Sequence, residues 1–298
     1  MQLTIATPRS FNFRRTVRSH GWCELPPFGF DDENWTLERV IDIPAATPIV
    51  VKIAGTKRQL QIETCSRVNK SATQQVLRDV RHMLRLDDDM TSFYREMADD
   101  PDFSWIATHG AGRMLRSPTV FEDLVKMICT TNCSWSLTEK MVTGLVESLG
   151  RESKEGLRTF PTPEAMALMP LKFYVNEVRA GYRAPYLKEL ADRVAGGELN
   201  VEEWLTVDLP TTDLIKKMKT VKGVGDYAAE NLLKLVGRYD GLALDSWTRA
   251  KFFKVRNNGR KASDKKIARF YSKFNSWRGL ALWCDMTRDW MEDEKGAN

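Results

Sequence analysis

Apolar and polar positions alternate in short runs over the first part of the chain. Glu38–Pro44, Pro48–Ala54 and Gln59–Cys65 pair β-branched or aliphatic residues with polar ones, and turns containing Pro or Gly separate them, the pattern of half-buried strands. After residue 75 the period lengthens. Val76, Val80, Met83 and Leu84 recur at helical spacing, and helical patterns continue to the C-terminus. One helix is predicted to open at Ser117-Pro118, a side-chain cap followed by proline, with Phe121, Leu124, Val125 and Ile128 on one stripe. It runs into Thr130, Thr131 and Asn132, whose side chains favour local backbone bonds over helix. Pro161, Pro163 and Pro170 mark breaks, and Tyr186–Val194 reads as a further helix. The predicted fold is mainly α with an N-terminal antiparallel β-sheet (α+β). A sheet domain spans 1–75 and a helical body spans 76–298.

Composition narrows the class. The 298 residues are 42% hydrophobic and 29% charged, as in globular proteins. There is no apolar run of about 18 residues for a membrane span, and no apolar stretch near the N-terminus suited to a secretory signal. The expectation is an intracellular protein without a membrane partner. Its five cysteines are scattered without a C-x-x-C pair, which fits reduced thiols. Cys129 and Cys133 are placed to pack, or else to hold a metal. Three histidines, His20, His82 and His109, give little material for a zinc site or a histidine triad.

Charge is unevenly spread. The net charge is +5, yet Arg249 to Arg278 holds eleven basic residues and one acid, Asp264, for a local +10. Phe252, Phe253, Phe270, Tyr271, Phe274 and Trp277 are interleaved, so the stretch reads as a folded basic surface suited to nucleic acid or as a solvated helix face.

Thr211–Asp245 carries the most chemistry. Thr211 or Thr212 can cap a short helix with Leu214, Ile215 and Met218 facing inward. Gly223-Val224-Gly225 then turns tightly, Asp226 caps a second helix with Ala228, Leu232, Leu235 and Val236 on one face, and Gly237 ends it. Two short helices joined by G-V-G, at 211–237, form a helix-hairpin-helix. Without Cβ atoms its backbone N–H groups can approach a phosphate, helped by the helix dipole and by Lys219 and Lys222 beside the turn. Loop 238–247 follows, with Asp245 before a new helix, where it can cap that helix or return toward the hairpin as a reactive carboxylate.

G-V-G followed about twenty residues later by an aspartate in an L-D setting resembles the helix-hairpin-helix (HhH-GPD) DNA glycosylase superfamily. Phe121–Asn132 is similar to the helix and gap-filling loop of the 8-oxoguanine glycosylase branch, and Gly181-Tyr182-Arg183-Ala184-Pro185-Tyr186 is close to its G-Y-R-A-x-Y segment. The N-terminal sheet also fits that branch and the alkylpurine glycosylases. The resemblance covers most of the chain and implies a helical glycosylase body acting on double-stranded DNA, as a monomer.

By this resemblance Asp245 is the catalytic carboxylate, stabilising an oxocarbenium-like sugar or orienting the attacking water. Asn132 fills the space left by a flipped nucleotide, and Tyr182 and Arg183 wedge beside and contact the estranged base. Lys222, Gly223, Val224, Gly225 and Arg249 would contact DNA. The backbone carbonyls of Lys219, Val221 and Val224 match those that hold K⁺ or Na⁺ in family hairpins, a structural ion and not a required cofactor. The base pocket would be drawn from Tyr227, Asn231, Leu235, Trp283, Met286 and Trp290, although Trp283 and Trp290 also read as core residues on one helical face. If they face the pocket, their electron-rich rings would favour a cationic alkylated purine.

Three departures qualify the resemblance. Tyr227 stands where members that also cut the backbone carry lysine, which implies a monofunctional enzyme using water. Leu137 replaces the cytosine-reading arginine, and the four-cysteine motif of an iron–sulfur cluster is missing, so no cluster is expected. The expected activity is base excision repair of an oxidised or alkylated purine. The alternatives are a non-catalytic helix-hairpin-helix DNA-binding protein and a bifunctional glycosylase/lyase using another amine such as Lys222.

Overall fold

The computed structural model describes residues 1–66 and 68–291. Five strands, β1 (Gln2–Ala6), β2 (Phe28–Asp31), β3 (Thr36–Ile41), β4 (Ile49–Gly55) and β5 (Gln59–Thr64), form one antiparallel sheet in the order β1-β5-β4-β3-β2. The three predicted strands are its centre. The two that the pattern missed are its edges: β1 is a five-residue strand, and β2 spans four residues and contains Gly29. An edge strand pairs on one side only, so a short sequence with weak alternation suffices there. In β5, Leu60 and Ile62 are buried while Gln59, Gln61 and Glu63 are exposed.

Fourteen α-helices follow or interrupt the sheet among the described residues: α1 (Phe13–Val17), α2 (Lys70–Met83), α3 (Thr91–Ala98), α4 (Ser104–His109), α5 (Val120–Thr130), α6 (Trp135–Leu149), α7 (Pro163–Ala167), α8 (Leu171–Asn176), α9 (Ala184–Ala195), α10 (Thr211–Met218), α11 (Asp226–Leu235), α12 (Ser246–Arg256), α13 (Asp264–Tyr271) and α14 (Arg278–Met286). None is long and apolar enough to cross a membrane.

Two cores organise them. The sheet, α2, α5, α6 and α9–α11 share one apolar cluster, in which Val76, Val80, Met83, Leu124, Val125 and Ile128 are fully buried. The second joins α3 and α4 to α12–α14 through Phe93, Phe103, Phe252, Ile267 and Tyr271. A buried ion network stitches sheet to body. Arg39 on β3 donates two hydrogen bonds to Glu122 on α5 (2.8 and 2.7 Å), and Lys126 reaches the same carboxylate at 2.7 Å. Burial alone would raise the Glu122 pKa, but these two cations hold it down to about 2.

Several helix caps differ from expectation. α5 starts at Val120 and is capped by Thr119, whose hydroxyl accepts from Glu122 N at 3.2 Å, whereas the Ser117 amide donates to the buried Asp123. Neither Thr211 nor Thr212 caps α10, because the chain enters it from Pro210. Asp226 is the first residue of α11, not its cap; Gly225 occupies the cap position with no side-chain bond.

Candidate active site

The hairpin is α10, a seven-residue connection (219–225) with two tight turns, and α11. Leu214 and Met218 face inward with Ala228, Leu232 and Leu235, and Ile215 packs at the margin of the same core. Gly223 has φ +88°, and a Cβ there would meet the Tyr186 ring at 2.8 Å, so the turn requires glycine. Gly225 faces open space, leaving the first amides of α11 accessible. Lys222 and Lys219 are exposed but tied, to Glu189 at 2.5 Å and to Asp226 at 2.6 Å respectively. At its far end α11 closes with Gly237 at φ +92°, the Gly237 amide reaching Lys234 O and the Arg238 amide Leu233 O. Buried Arg85 and Arg116 donate to the Leu235 carbonyl at 2.8 and 3.2 Å.

The following loop is fastened from two sides. Ala243 N donates to Glu230 on α11, while Gly279 N on α14 donates to Tyr239 O at 2.7 Å. Packing is so close that a Cβ on Gly279 would lie 1.9 Å from the Gly241 carbonyl oxygen. This delivers Asp245 to the start of α12, where it caps the helix. Its Oδ1 accepts from the Thr248 amide and hydroxyl, both at 2.7 Å, and the Asp245 amide donates to Thr248 Oγ1 at 2.8 Å. Its Oδ2 has no protein hydrogen bond among the described residues.

Half-buried Asp245 borders a cavity of about 830 Å³ at the seam of the two cores. Tyr227, Asn231, Leu235, Trp283 and Trp290 border the same space. Met286 does not; it is fully buried in the second core. Trp283 and Trp290 do not share a helix, since α14 ends at Met286 and Trp290 sits in a following turn. The two rings are 5.9 Å apart, and Trp247 touches both, at 5.9 and 5.8 Å. The indole of Trp283 is fixed by a 2.8 Å hydrogen bond to Ser19 O.

Sequence reasoning missed the opposite wall. His20, Gly21, Trp22 and Glu24 come from a short turn before β2, with Met127, Thr130, Cys133 and Trp135 from α5, its loop and α6. Trp22 donates to Asp123 at 2.7 Å and stacks on His20 at 4.8 Å. Only Trp247 carried a legible signal, two residues after Asp245. Five of the chain's nine tryptophans thus line one cavity.

Electrostatics set the protonation states. Burial, reinforced by Lys126, Arg85 and Lys234, pushes the His20 pKa down to about 3, so the imidazole is neutral. Lys234 is fully buried on α11, contacts Asn231 Oδ1 at 3.4 Å, and is lowered by burial to about 8. Tyr227 is raised to about 12 by burial and the nearby charge of Asp245, so its phenol keeps its proton.

The outer residues are arranged around one loop. Asn132 is exposed with φ +47°, directly after Thr131. Tyr182, half-exposed, donates to Thr131 O at 3.1 Å. Arg183, read from the sequence as a base contact, is only 3% exposed and spends its guanidinium on Thr131 O and Oγ1. In this conformation it positions the loop instead of projecting from it. Arg249 lies in a neighbouring groove and is held by Asp264 at 2.7 and 2.9 Å.

No family model and no curated protein matches the sequence. Solved structures are similar over nearly the whole chain. MBOgg1 in complex with a low-affinity DNA ligand superposes with a TM-score of 0.76 at 22% identity, covering 97% of this chain and 96% of that one. The 8-oxoguanine glycosylase/lyase of Clostridium acetobutylicum gives 0.75 at 22% identity, with 96% and 95% covered. The 3-methyladenine DNA-glycosylase from Archaeoglobus fulgidus gives 0.75 at 22% identity, with 98% and 99% covered. The chain therefore has the HhH-GPD glycosylase fold, sheet and helical body included.

Proposed function

We propose that this protein is a monofunctional DNA glycosylase that extrudes a damaged purine from duplex DNA and hydrolyses its N-glycosidic bond. The observation that carries the reading is the position of Asp245, with one carboxylate oxygen fixed by Thr248 and the other without a protein hydrogen bond among the described residues, in the lining of a tryptophan-rich cavity beside the glycine-turn hairpin. A cavity of about 830 Å³ is large enough to admit a nucleobase and its sugar. The base leaves with the bonding electrons, a cationic alkylpurine departing neutral and an oxidised purine taking up a proton from solvent, while positive charge grows on the sugar, where the carboxylate stabilises it. Water adds its oxygen to C1′ and gives up a proton, for which Asp245 is the acceptor at hand.

The hairpin amides after Gly223 would hold the neighbouring phosphate. The carbonyls of Lys219, Val221 and Val224 would hold K⁺ or Na⁺, an all-oxygen donor set suited to a hard cation. Indole walls stack on oxidised or alkylated purines alike, and their faces add attraction for a cationic alkylpurine.

The decisive assay is a panel of duplexes, each with one oxidised, alkylated or deaminated base, scored for alkali-labile sites with the unaltered protein and with Asp245→Asn. Release that disappears with the substitution supports the reading; DNA binding with no release from any duplex would leave a binding protein. Water as the nucleophile is favoured by Tyr227 at the lysine position, by Lys222 being paired, and by Lys234 being buried. Borohydride should accordingly trap no covalent DNA adduct, and an adduct would turn the reading to a lyase.

A further inference from the structure

Of the five indoles that line the cavity, Trp135 is the one nearest in sequence to the gap-filling loop. It begins α6, three residues after Asn132. Trp135 is 36% exposed at the cavity border. It is not loose. Its Nε1 donates to Glu24 Oε2 at 2.9 Å, across 111 residues of sequence, and Glu24 lines the same cavity. The ring lies flush on Gly21, where a Cβ would come within 2.4 Å of it, so the absence of a side chain at Gly21 admits the indole. The turn holding Glu24 is itself anchored through Trp22 and Asp123.

We infer that Trp135 is a base-stacking wall of the cavity, held in place by Glu24 and delivered by the same loop that carries Asn132. The inference rests on base extrusion into this cavity, as proposed above. Loop 131–134 connects the two events: Asn132 would enter the duplex while Trp135, already seated, receives the displaced base. A base stacked on a fixed indole gains contact area that an abasic sugar cannot offer.

The test is equilibrium binding of the full chain to two duplexes that differ at one nucleotide. One carries 2-aminopurine opposite an abasic analogue; the other carries the abasic analogue on both strands. Trp135→Ala should weaken binding to the first by about 5-fold or more, the range of one lost base–aromatic stack, and leave the second within about twofold. Trp135→Phe should recover most of the loss, and Glu24→Ala should reproduce part of it. Quenching of bound 2-aminopurine should fall in parallel. Equal loss on both duplexes would assign Trp135 a merely structural role, and no loss on either would reject it outright. Asp245-dependent base release without the differential would reject stacking and keep the enzyme. The differential without any release would keep stacking and reject the enzyme.

Discussion

At Asp245 one carboxylate oxygen caps α12 and the other has no protein hydrogen bond among the described residues, so the cap and the proposed chemistry can be separated by substitution. Asn retains a capping oxygen. Asp245→Asn should leave the melting temperature nearly unchanged while base release falls by about 10³-fold, the scale of losing one preorganised electrostatic group. Asp245→Ala should lose release and also about 1 kcal/mol of stability with the cap, seen in parallel denaturant titrations. The sequence offered capping and catalysis as alternatives; the capping box with Thr248 shows the first and uses only Oδ1, which leaves Oδ2 without a protein partner among the described residues for the second. Acid behaviour is also set by single residues. His20 and His82 are both lowered by burial to about 3, so the unfolded chain binds more protons than the folded one between about pH 3 and 6.5. Their contribution is intact above pH 6.5 and is lost as pH falls toward 3. Glu122, at about 2 in the fold, acts in the same direction below pH 4.5. Burial raises Asp79, Asp123 and Glu202 and works the other way, so the histidine contribution is read by substitution. In urea unfolding the loss of stability from pH 7 to pH 4.5 should be smaller in His82→Gln than in the unaltered protein, and an unchanged pH slope in that variant would refute the assignment.

Among elements, helix interiors were far more legible than helix ends. The stripe Phe121, Leu124, Val125 and Ile128 is buried as its spacing requires, but the cap moved from Ser117 to Thr119. Apolar periodicity is repeated over several turns, whereas a cap depends on one residue's backbone angles, and Ser, Thr and Asp near a helix start offer several equal choices. The hairpin was readable because its glycines stand between two apolar stripes. Its two glycines should nevertheless respond differently. Gly223→Ala forces a left-handed backbone angle and a clash with Tyr186, and should cost about 1 kcal/mol or more of stability along with DNA affinity. Gly225→Ala has ordinary backbone angles and open space, so stability should hold while DNA binding weakens where a methyl group crowds the phosphate. Thermal melting and binding titrations on both variants separate the cases.

Across the whole molecule, tertiary pairing rewrites the charge map. Lys251, Arg256 and Lys273, counted in the basic stretch, meet Asp289, Asp285 with Asp102, and Asp100, all distant in sequence. Arg249 is answered by Asp264 within it. Lys254, Arg260, Lys261, Lys265 and Arg269 form no ion pair among the described residues. Arg256 is structural: its partner Asp285 is nearly inaccessible and also accepts from Tyr271 at 2.6 Å. Arg256→Ala should cost about 3–5 kcal/mol, the cost of stranding a buried charge, measured by chemical denaturation. Lys265 instead lines the groove that also borders Tyr227 and Arg249. Lys265→Ala should flatten the dependence of log Kd on log salt by about one unit, while Lys251→Ala, already neutralised by Asp289, should leave that slope nearly unchanged.

Local sequence determined what depends on neighbours along the chain: central strands, helical stripes, the glycine turn, and an aspartate a fixed distance beyond it. These follow from periodicity and backbone freedom, which act over a few residues. Only the tertiary structure decided which residues share the cavity. It brought His20–Glu24, Trp135, Trp247 and Trp283 to one space from four separate elements, drew Arg183 inward onto Thr131, and paired three of the eleven basic residues of 249–278 with remote acids. Such meetings are fixed by how the two cores pack, and buried contact or charge pairing across a hundred residues leaves no periodic trace in the sequence.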